Sequence, residues 1–336
     1  MTAMTDLCRN FRFADFHLSA IHAMSGARNE KQANEMSDRQ RLKATLIGLT
    51  AVLMWATLGL FGAGSGNVPP FLMNTLCFGF SGTAALVWLV MTGRTRLLRQ
   101  PVGVWAFGTL GLFGFHFFYF TAIRNAPPVQ ANLINYTWPL LIVLFSAFLP
   151  GERLRLHHVI GTVLGLAGAA LLIAGDKGLS FTGGSALGYG AAIASSLFWS
   201  SYSVLSRRLG KVPTEAVAGF CLMTALLSGL CHIVLEETVW PAEPLQWASV
   251  LALAVFPIGL AFFTWDIGVK RGDIQVLGAA AYSAPLLSTL LLIAFGFGAL
   301  TLSVGIACLA ITLGALIAAK DMLFRSATRP ASTEPV

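Results

Sequence analysis

The stretch Tyr136-Thr137-Trp138-Pro139-Leu140-Leu141 places a proline in the middle of a long apolar run, and it has a counterpart 146 positions later. The counterpart, Tyr282-Ser283-Ala284-Pro285-Leu286-Leu287, also carries its tyrosine three residues before the proline. A proline inside a membrane helix removes one backbone donor and leaves a carbonyl without its usual partner. Interrupted spans at corresponding positions of two half-chains indicate the binding site of a transporter.

The composition is that of a membrane protein, because 56% of the 336 residues are hydrophobic and only 11% are charged. Soluble domains are about one quarter charged. The cysteines are Cys8, Cys77, Cys221, Cys231 and Cys308. They are odd in number and lack metal-ligand spacing, so they are interpreted as packing residues, and neither a metal nor another cofactor is predicted. The net charge of +7 comes from short basic clusters between apolar runs, which indicates membrane topology and no nucleic-acid partner.

Ten apolar runs have the length of about 20 residues that crosses a bilayer as a helix. Their limits are 43–64, 70–92, 102–123, 129–149, 157–175, 184–206, 214–234, 246–268, 275–298 and 301–320. We therefore expect a cytoplasmic N-terminal tail over 1–42, a five-helix repeat over 43–176, a second over 183–320, and a cytoplasmic tail over 321–336. Translation could start at Met1, Met24 or Met36.

The basic residues predict the orientation of the chain. All lysines and arginines except Arg124 and Lys177 lie at the two chain ends or in four short segments between apolar runs. Those segments are 93–101, 150–158, 206–213 and 269–274. An excess of basic residues marks the cytoplasmic side of a membrane protein. Both termini are therefore predicted to be cytoplasmic, which requires an even number of crossings.

An internal repeat relates the two halves. Trp55 and Trp199 are 144 residues apart, and Gly168 and Gly314 are 146 apart. Each half contains five predicted spans, an odd number, so the second half must run through the membrane in the opposite sense. The predicted fold is an all-α membrane protein of ten transmembrane helices in two inverted five-helix repeats.

Three short motifs accompany the proline-bearing helices: Leu53-Met54-Trp55-Ala56, Leu197-Phe198-Trp199-Ser200 and Pro150-Gly151-Glu152-Arg153-Leu154. With these motifs, the chain over about residues 43–320 resembles the drug/metabolite transporter superfamily in its ten-helix form with two EamA-type domains. The second half departs from the Gly-Glu motif of that superfamily, because the equivalent place reads Phe297-Gly298-Ala299-Leu300. Within the superfamily the chain resembles the bacterial aromatic amino-acid exporters, also linked to efflux of paraquat-like dications. The matching residues are Trp55, His116, Tyr119, Asn135, Tyr136, Trp138 and Trp199. The resemblance implies export.

Helical spacing places Asn132, Asn135 and Tyr136 on one face of the fourth predicted span, together with Pro139. The matching face of the ninth span carries mostly small residues, Gly278 and Ala281 among them, so we expect a substrate to contact the first face and slide past the second. The alternative is that the asparagines only bond neighbouring helices. His116 could bind a carboxylate, titrate for proton coupling, or stay neutral and bonded to a neighbour.

The predicted substrate-binding residues are Trp55, Asn74, His116, Tyr119, Asn132, Asn135, Tyr136, Trp138, Trp199, Tyr202, Tyr282 and Ser283. Hinges are predicted at Pro139 and Pro285. Deep aromatic rings suit an aromatic substrate, although each could equally fill the core.

The sequence has no P-loop, no zinc-protease motif and no Gly-x-Ser-x-Gly motif, so an enzyme is not expected. The predicted function is a secondary transporter that exports aromatic and other apolar amino acids across the bacterial inner membrane by alternating access. Its partners would be the amino acid and the lipid bilayer. The sequence leaves the oligomeric state open and is compatible with a monomer. An exporter of aromatic dications and a non-transporting membrane scaffold remain alternatives. Proton coupling and facilitated diffusion are both open.

Overall fold

The structure is a computed structural model that describes residues 38–174, 185–296 and 301–321. These residues form helices and connecting turns, and they contain no strand. Residues 38–43 belong to a unit separate from the one that begins at Ala44. Most of both predicted tails, the Phe297-Gly298-Ala299-Leu300 segment and the loop with Lys177 lie outside the described residues.

The helices begin and end as follows. They are α1 (Asp38–Gly64), α2 (Pro70–Met91), α3 (Val102–Asn125), α4 (Pro128–Asn135), α5 (Trp138–Ser146), α6 (Leu156–Ala174), α7 (Ala186–Arg208), α8 (Ala216–Leu235), α9 (Pro244–Arg271), α10 (Ile274–Ala280), α11 (Ser283–Ala294) and α12 (Leu302–Ala318).

Seven stretches of the described chain are long and apolar enough to cross a membrane. They are α1, α2, α3, α6, α8, α9, and α10 together with α11. Helix α12 is apolar but has only 17 residues. The remaining two predicted spans differ for physical reasons: the fourth is divided into α4 and α5, and the sixth is the polar helix α7. The number of ten crossings therefore stays a prediction.

Helix α7 is polar because several serines lie on its buried face. Ser195, Ser200 and Ser203 are each fully buried there, so their hydroxyls face protein and lower the hydropathy of the helix without facing lipid. Helix α3 packs along α7. The two approach closely at Gly111, where a Cβ atom would lie 2.3 Å from the ring of Tyr202.

Two helices are interrupted at the same position of the repeat. Helix α4 ends at Asn135 and α5 begins at Trp138, while α10 ends at Ala280 and α11 begins at Ser283. The sequence predicted interruptions in these two helices, but each break precedes its proline. A proline is tolerated in the first turn of a helix, where its missing N–H would have no partner, and each proline lies in the first turn of its half-helix.

The packing pairs equivalent helices of the two halves. Helix α2 packs against α8, and α6 packs against α12; each pair joins the same element of the predicted repeats. The second pair is very close, since a Cβ atom on Gly161 would lie 2.4 Å from the carbonyl oxygen of Gly314. A Cβ atom on Gly314 would lie 2.5 Å from the carbonyl oxygen of Gly161. This reciprocal contact is typical of small-residue helix packing in membranes.

Candidate functional site

A cavity of about 810 Å³ lies among the helices. Its walls come from α1 to α7, α9 and α11. It opens at the end of the bundle where Ser65, Gly66 and Val68 connect α1 to α2 and where Pro128 begins α4. A cavity of this size is within the range of small-molecule sites, about 300–1,000 Å³.

Most of the predicted binding residues line this cavity. They are Trp55, Asn74, His116, Tyr119, Asn132, Asn135, Tyr136, Trp138 and Trp199. The predicted hinge residue Pro285 also lines it, whereas Pro139 is buried outside it. Their contact with a substrate stays a prediction.

Three predicted binding residues lie away from the cavity. Tyr202 is buried and stacks on Phe107, with ring centroids 5.4 Å apart. Tyr282 is fully buried, and its hydroxyl accepts a hydrogen bond from the backbone N–H of Leu140 at 3.2 Å. Ser283 donates its hydroxyl to the carbonyl of Ala280 at 2.7 Å. Tyr202 and Tyr282 therefore belong to the packing between helices, while Ser283 makes a local bond at the start of α11.

The floor of the cavity is a cluster of four tryptophans, one each from α1, α5, α7 and α9. Trp55 touches Trp138, Trp199 and Trp265 with centroids 6.0, 5.8 and 5.0 Å away. Trp265 is fully buried beneath the others, and its indole N–H donates to the Ser203 hydroxyl at 3.0 Å. Rings that meet at these distances stabilise each other beyond simple burial, so the four tryptophans form one packed cluster next to the cavity.

One wall of the cavity carries hydrogen-bonding groups. The Tyr119 hydroxyl donates to Oδ1 of Asn132 at 2.7 Å, and the Ser195 hydroxyl donates to Oδ1 of Asn135. Nδ1 of His116 lies 2.8 Å from the carbonyl oxygen of Leu112. Both asparagines thus bond a neighbouring helix and line the cavity.

The sequence analysis missed a π turn in α9, which spans Phe256–Leu260. Ala261 donates its N–H to the carbonyl of Phe256, five residues back, and the carbonyl of Pro257 accepts the indole N–H of Trp55 at 3.1 Å. Such turns occur often at functional sites. A signal was present, because Pro257 followed by Ile258 and Gly259 interrupts an apolar run. Further lining residues that the sequence analysis missed include Phe115, Phe262, Ser288 and Thr289.

The end of the bundle opposite the mouth is held by charged groups. Arg207, at the end of α7, donates to Glu152 at 2.5 Å and to the carbonyls of Val269 and Gly272 at 3.0 and 2.7 Å. Glu152 is only 5% exposed. Arg207 therefore joins the segment after α5 to the connection between α9 and α10.

A second buried ion pair lies at the same end. Lys270 contacts Asp266 at 2.8 Å and donates to the carbonyl of Val212 at 2.9 Å. Asp266 also accepts the hydroxyl of Thr214 at 2.7 Å. The two residues are four positions apart on α9, a spacing at which opposite charges on a helix are neighbours. Its contacts tie α9 to the connection before α8.

A different charged cluster fastens the mouth end of α2, α3 and α8. Glu236 accepts the backbone N–H groups of Phe71 and Leu72 at 3.0 and 3.1 Å, and it also bonds Arg124 and His232. A carboxylate at a helix N-terminus is stabilised by unpaired N–H groups and by the helix dipole. This role of Glu236 was not predicted from the sequence.

Comparison with known proteins gives consistent matches. The profile of the EamA-like transporter family matches residues 42–174 and again 186–319. The aromatic amino acid exporter YddG of Ancylobacter novellus is 53% identical over 83% of this chain and 97% of its own length. The exporter of the same name from Escherichia coli is 24% identical over 75% of this chain and 88% of its own length.

A solved crystal structure has 51% sequence identity and a TM-score of 0.80, and the match covers 85% of this chain and 99% of the other. The family profile, the cavity and the apolar helices agree on a multi-pass membrane transporter, as the sequence predicted. The chain belongs to the EamA-like transporter family, and its EamA domain is duplicated.

Proposed function

We propose that this protein exports aromatic and other apolar amino acids across the bacterial inner membrane by alternating access. The observation that carries the proposal is the cavity itself, which combines tryptophan rings with a hydrogen-bonding wall. The similarity to relatives named as aromatic amino acid exporters supports the same substrate class.

The chemistry of the lining suits an amphipathic substrate. An indole or phenyl ring would rest on Trp55, Trp138 and Trp199, where burial of apolar area contributes about 25 cal/mol per Å². The zwitterionic end would meet His116, Asn135 and other polar groups of the wall. In the cavity lining of the described chain there is no Asp or Glu, which suits a cargo without net charge.

The proposed transport cycle follows from which end is closed. Arg207 and Lys270 belong to the basic segments that predict the cytoplasmic side, and both lie at the closed end. The mouth would therefore face the periplasm. Ten crossings in two inverted repeats with both termini cytoplasmic would allow the reverse state, in which the mouth closes and the contacts of Arg207 open.

A second candidate is an exporter of aromatic dications. The tryptophan cluster favours it, because indole faces attract cations. The lack of a carboxylate among the described lining residues disfavours it, since a doubly charged cargo in a membrane needs compensation. A non-transporting scaffold would leave the cavity without a use.

A counterflow assay in liposomes separates these candidates. Labelled tryptophan inside the liposomes would be exchanged against unlabelled phenylalanine or an unlabelled aromatic dication outside. We expect phenylalanine to drive exchange and the dication to be at least about 10-fold weaker, a difference of about 1.4 kcal/mol. Exchange driven by the dication alone would replace the proposed function with drug export, and exchange with neither would support the scaffold.

A further inference from the structure

The polar wall of the cavity has hydrogen-bond donors at some residues and an acceptor at another. The amide oxygens of Asn132 and Asn135 already accept hydroxyl groups from Tyr119 and Ser195. An amide has two donors on its nitrogen besides that oxygen. Neither NH₂ group has a hydrogen-bond partner in the part of the chain that the structure describes, so both asparagines offer donors.

A third amide of the cavity lining has a donor without a partner. Asn74 lines it and is only 2% exposed, and its Nδ2 has no partner among the described residues. A buried polar group without a partner is costly. A ligand that accepts hydrogen bonds would relieve this cost.

His116 offers the cavity a hydrogen-bond acceptor instead of a donor. Its Nδ1 lies 2.8 Å from the Leu112 carbonyl, which can only accept, so Nδ1 carries the proton. In the neutral ring, Nε2 is then an acceptor with a free lone pair. The rings of Phe78 and Phe115 stand against the imidazole with centroids 5.0 and 4.9 Å away, so apolar groups surround the ring.

The acceptor and the donors are neighbours along the wall. His116 and Tyr119 are three residues apart on α3, on the same face of the helix. The Tyr119 hydroxyl in turn contacts Asn132 at 2.7 Å, and Asn135 follows one turn later on α4. Both kinds of group therefore flank one part of the cavity.

We propose that this arrangement binds an α-amino acid in one orientation. The substrate carboxylate accepts from the NH₂ groups of Asn132 and Asn135, and the ammonium group donates to Nε2 of His116. The assignment rests on the proposed function for its substrate class. Of the roles that the sequence left open for His116, it excludes carboxylate binding, because a ring nitrogen without a proton cannot donate.

Two truncated analogues test the orientation. Tryptamine lacks the carboxylate and indole-3-propionate lacks the ammonium group. Each would compete with labelled tryptophan for the purified full-length protein in detergent, using the wild type, His116→Leu and Asn135→Leu. In the wild type we expect both analogues to bind about 10-fold or more weakly than tryptophan, because each leaves polar groups of the site unpaired.

The two variants should lose different parts of this discrimination. His116→Leu should bring indole-3-propionate within about 3-fold of tryptophan while still rejecting tryptamine. Asn135→Leu should bring tryptamine within about 3-fold of tryptophan while still rejecting indole-3-propionate. His116→Gln, whose Oε1 is an acceptor near the position of Nε2, should restore the rejection of indole-3-propionate. Melting temperatures of the variants establish that each is folded.

Four outcomes would overturn the proposal. If His116→Leu relaxed the rejection of tryptamine instead, the orientation would be reversed. If both variants lost both kinds of discrimination equally while remaining folded, neither residue would select an end of the substrate. If the wild type bound no displaceable tryptophan, the proposed function would fail and the orientation with it, whereas binding without discrimination would refute the orientation alone.

Discussion

At the scale of single residues, the two tyrosines that precede the prolines have different surroundings. Tyr136 lines the cavity. Tyr282 is fully buried and bonds the N–H of Leu140 at the start of the half-helix α5. Residues that are equivalent in the repeat therefore have different places, one on the cavity wall and one between the halves.

Tyr282→Phe should lower the stability of the protein without weakening substrate binding. Loss of the Tyr282 hydroxyl leaves the Leu140 N–H without its hydrogen-bond acceptor. An unpaired donor that is buried costs about 1–3 kcal/mol. Thermal unfolding in detergent would measure the first effect and tryptophan affinity the second. Tyr136→Phe is the matched control, since the same change there alters the cavity. Weaker tryptophan binding by Tyr282→Phe at an unchanged melting temperature would contradict the placement.

Helical spacing in the sequence identified the cavity-lining faces of the first half but could not assign these roles. Asn132, Asn135 and Tyr136 share a helix face and do line the cavity. Tyr202 follows Trp199 by three residues on α7, yet Phe107 of α3 covers its ring. Spacing along one helix does not say which neighbour covers a side chain, because that depends on tertiary packing.

At the scale of helices, the two interrupted spans and the contacts of Arg207 are the parts that a transport cycle would move. Pro139 is the second residue of α5 and has no N–H to donate to the carbonyl of Asn135, four residues before it. The break between α4 and α5 is therefore built into the sequence. The sequence predicted this break, and it missed the π turn around Pro257 because that proline was counted inside an apolar run.

Pro139→Ala should slow transport more than it weakens binding. The alanine supplies an N–H that can close the break, while Pro139 itself does not line the cavity. We expect the maximal flux to fall by about 10-fold, the effect of a barrier raised by about 1.4 kcal/mol. Tryptophan affinity should stay within about 2-fold, less than 0.5 kcal/mol. Equal losses of flux and affinity would contradict a hinge at this break.

Glu152→Gln should loosen the closed end. Hydrogen bonds to charged groups contribute about 1.5–3 kcal/mol. The bond lost here joins Glu152 to Arg207, and the Glu152 side chain is almost fully buried. The reporter is a cysteine at Ser146, a fully buried residue at the end of α5, in a chain without its five native cysteines. A membrane-impermeant thiol reagent applied from the cytoplasmic side should label it faster in the variant.

The matched control for this test is Arg155→Gln. Arg155 also pairs with an acidic residue, Asp321, but at an exposed position, where ion pairs contribute little. We therefore expect Arg155→Gln to leave the labelling rate of the Ser146 cysteine unchanged. Equal acceleration by both variants, or none by Glu152→Gln, would show that the Arg207 contacts do not keep the closed end shut.

At the scale of the whole molecule, the cavity is open at one end and the two halves pack through equivalent helices. The pairs α2 with α8 and α6 with α12 are those that a two-fold relation would bring together. The sequence supplied the repeat and the basic segments. The described part of the chain has fewer long apolar helices than the sequence has predicted spans, partly for two reasons. The buried serines of α7 lower the hydropathy of that helix, and the break between α4 and α5 divides the fourth span.

A cysteine at the mouth tests the proposed orientation. Val129 lies at the start of α4, lines the cavity and is 39% exposed. In intact cells, Val129→Cys should react with an impermeant thiol reagent from outside, and tryptophan should slow the reaction by covering the mouth. A reaction only in inverted vesicles would place the mouth on the cytoplasmic side and contradict the orientation.

The central claim is transport of an aromatic amino acid through this cavity. The most direct measurement is flux of labelled tryptophan into liposomes that contain the purified protein, with and without a pH gradient, beside a Trp138→Ala variant. We predict saturable flux that the variant loses by about 10-fold, since an aromatic contact contributes about 0.5–1.5 kcal/mol beyond its buried area. Flux that persists without the gradient would indicate a facilitator, and flux that requires it would indicate proton coupling. Absence of flux for every aromatic amino acid would contradict the account.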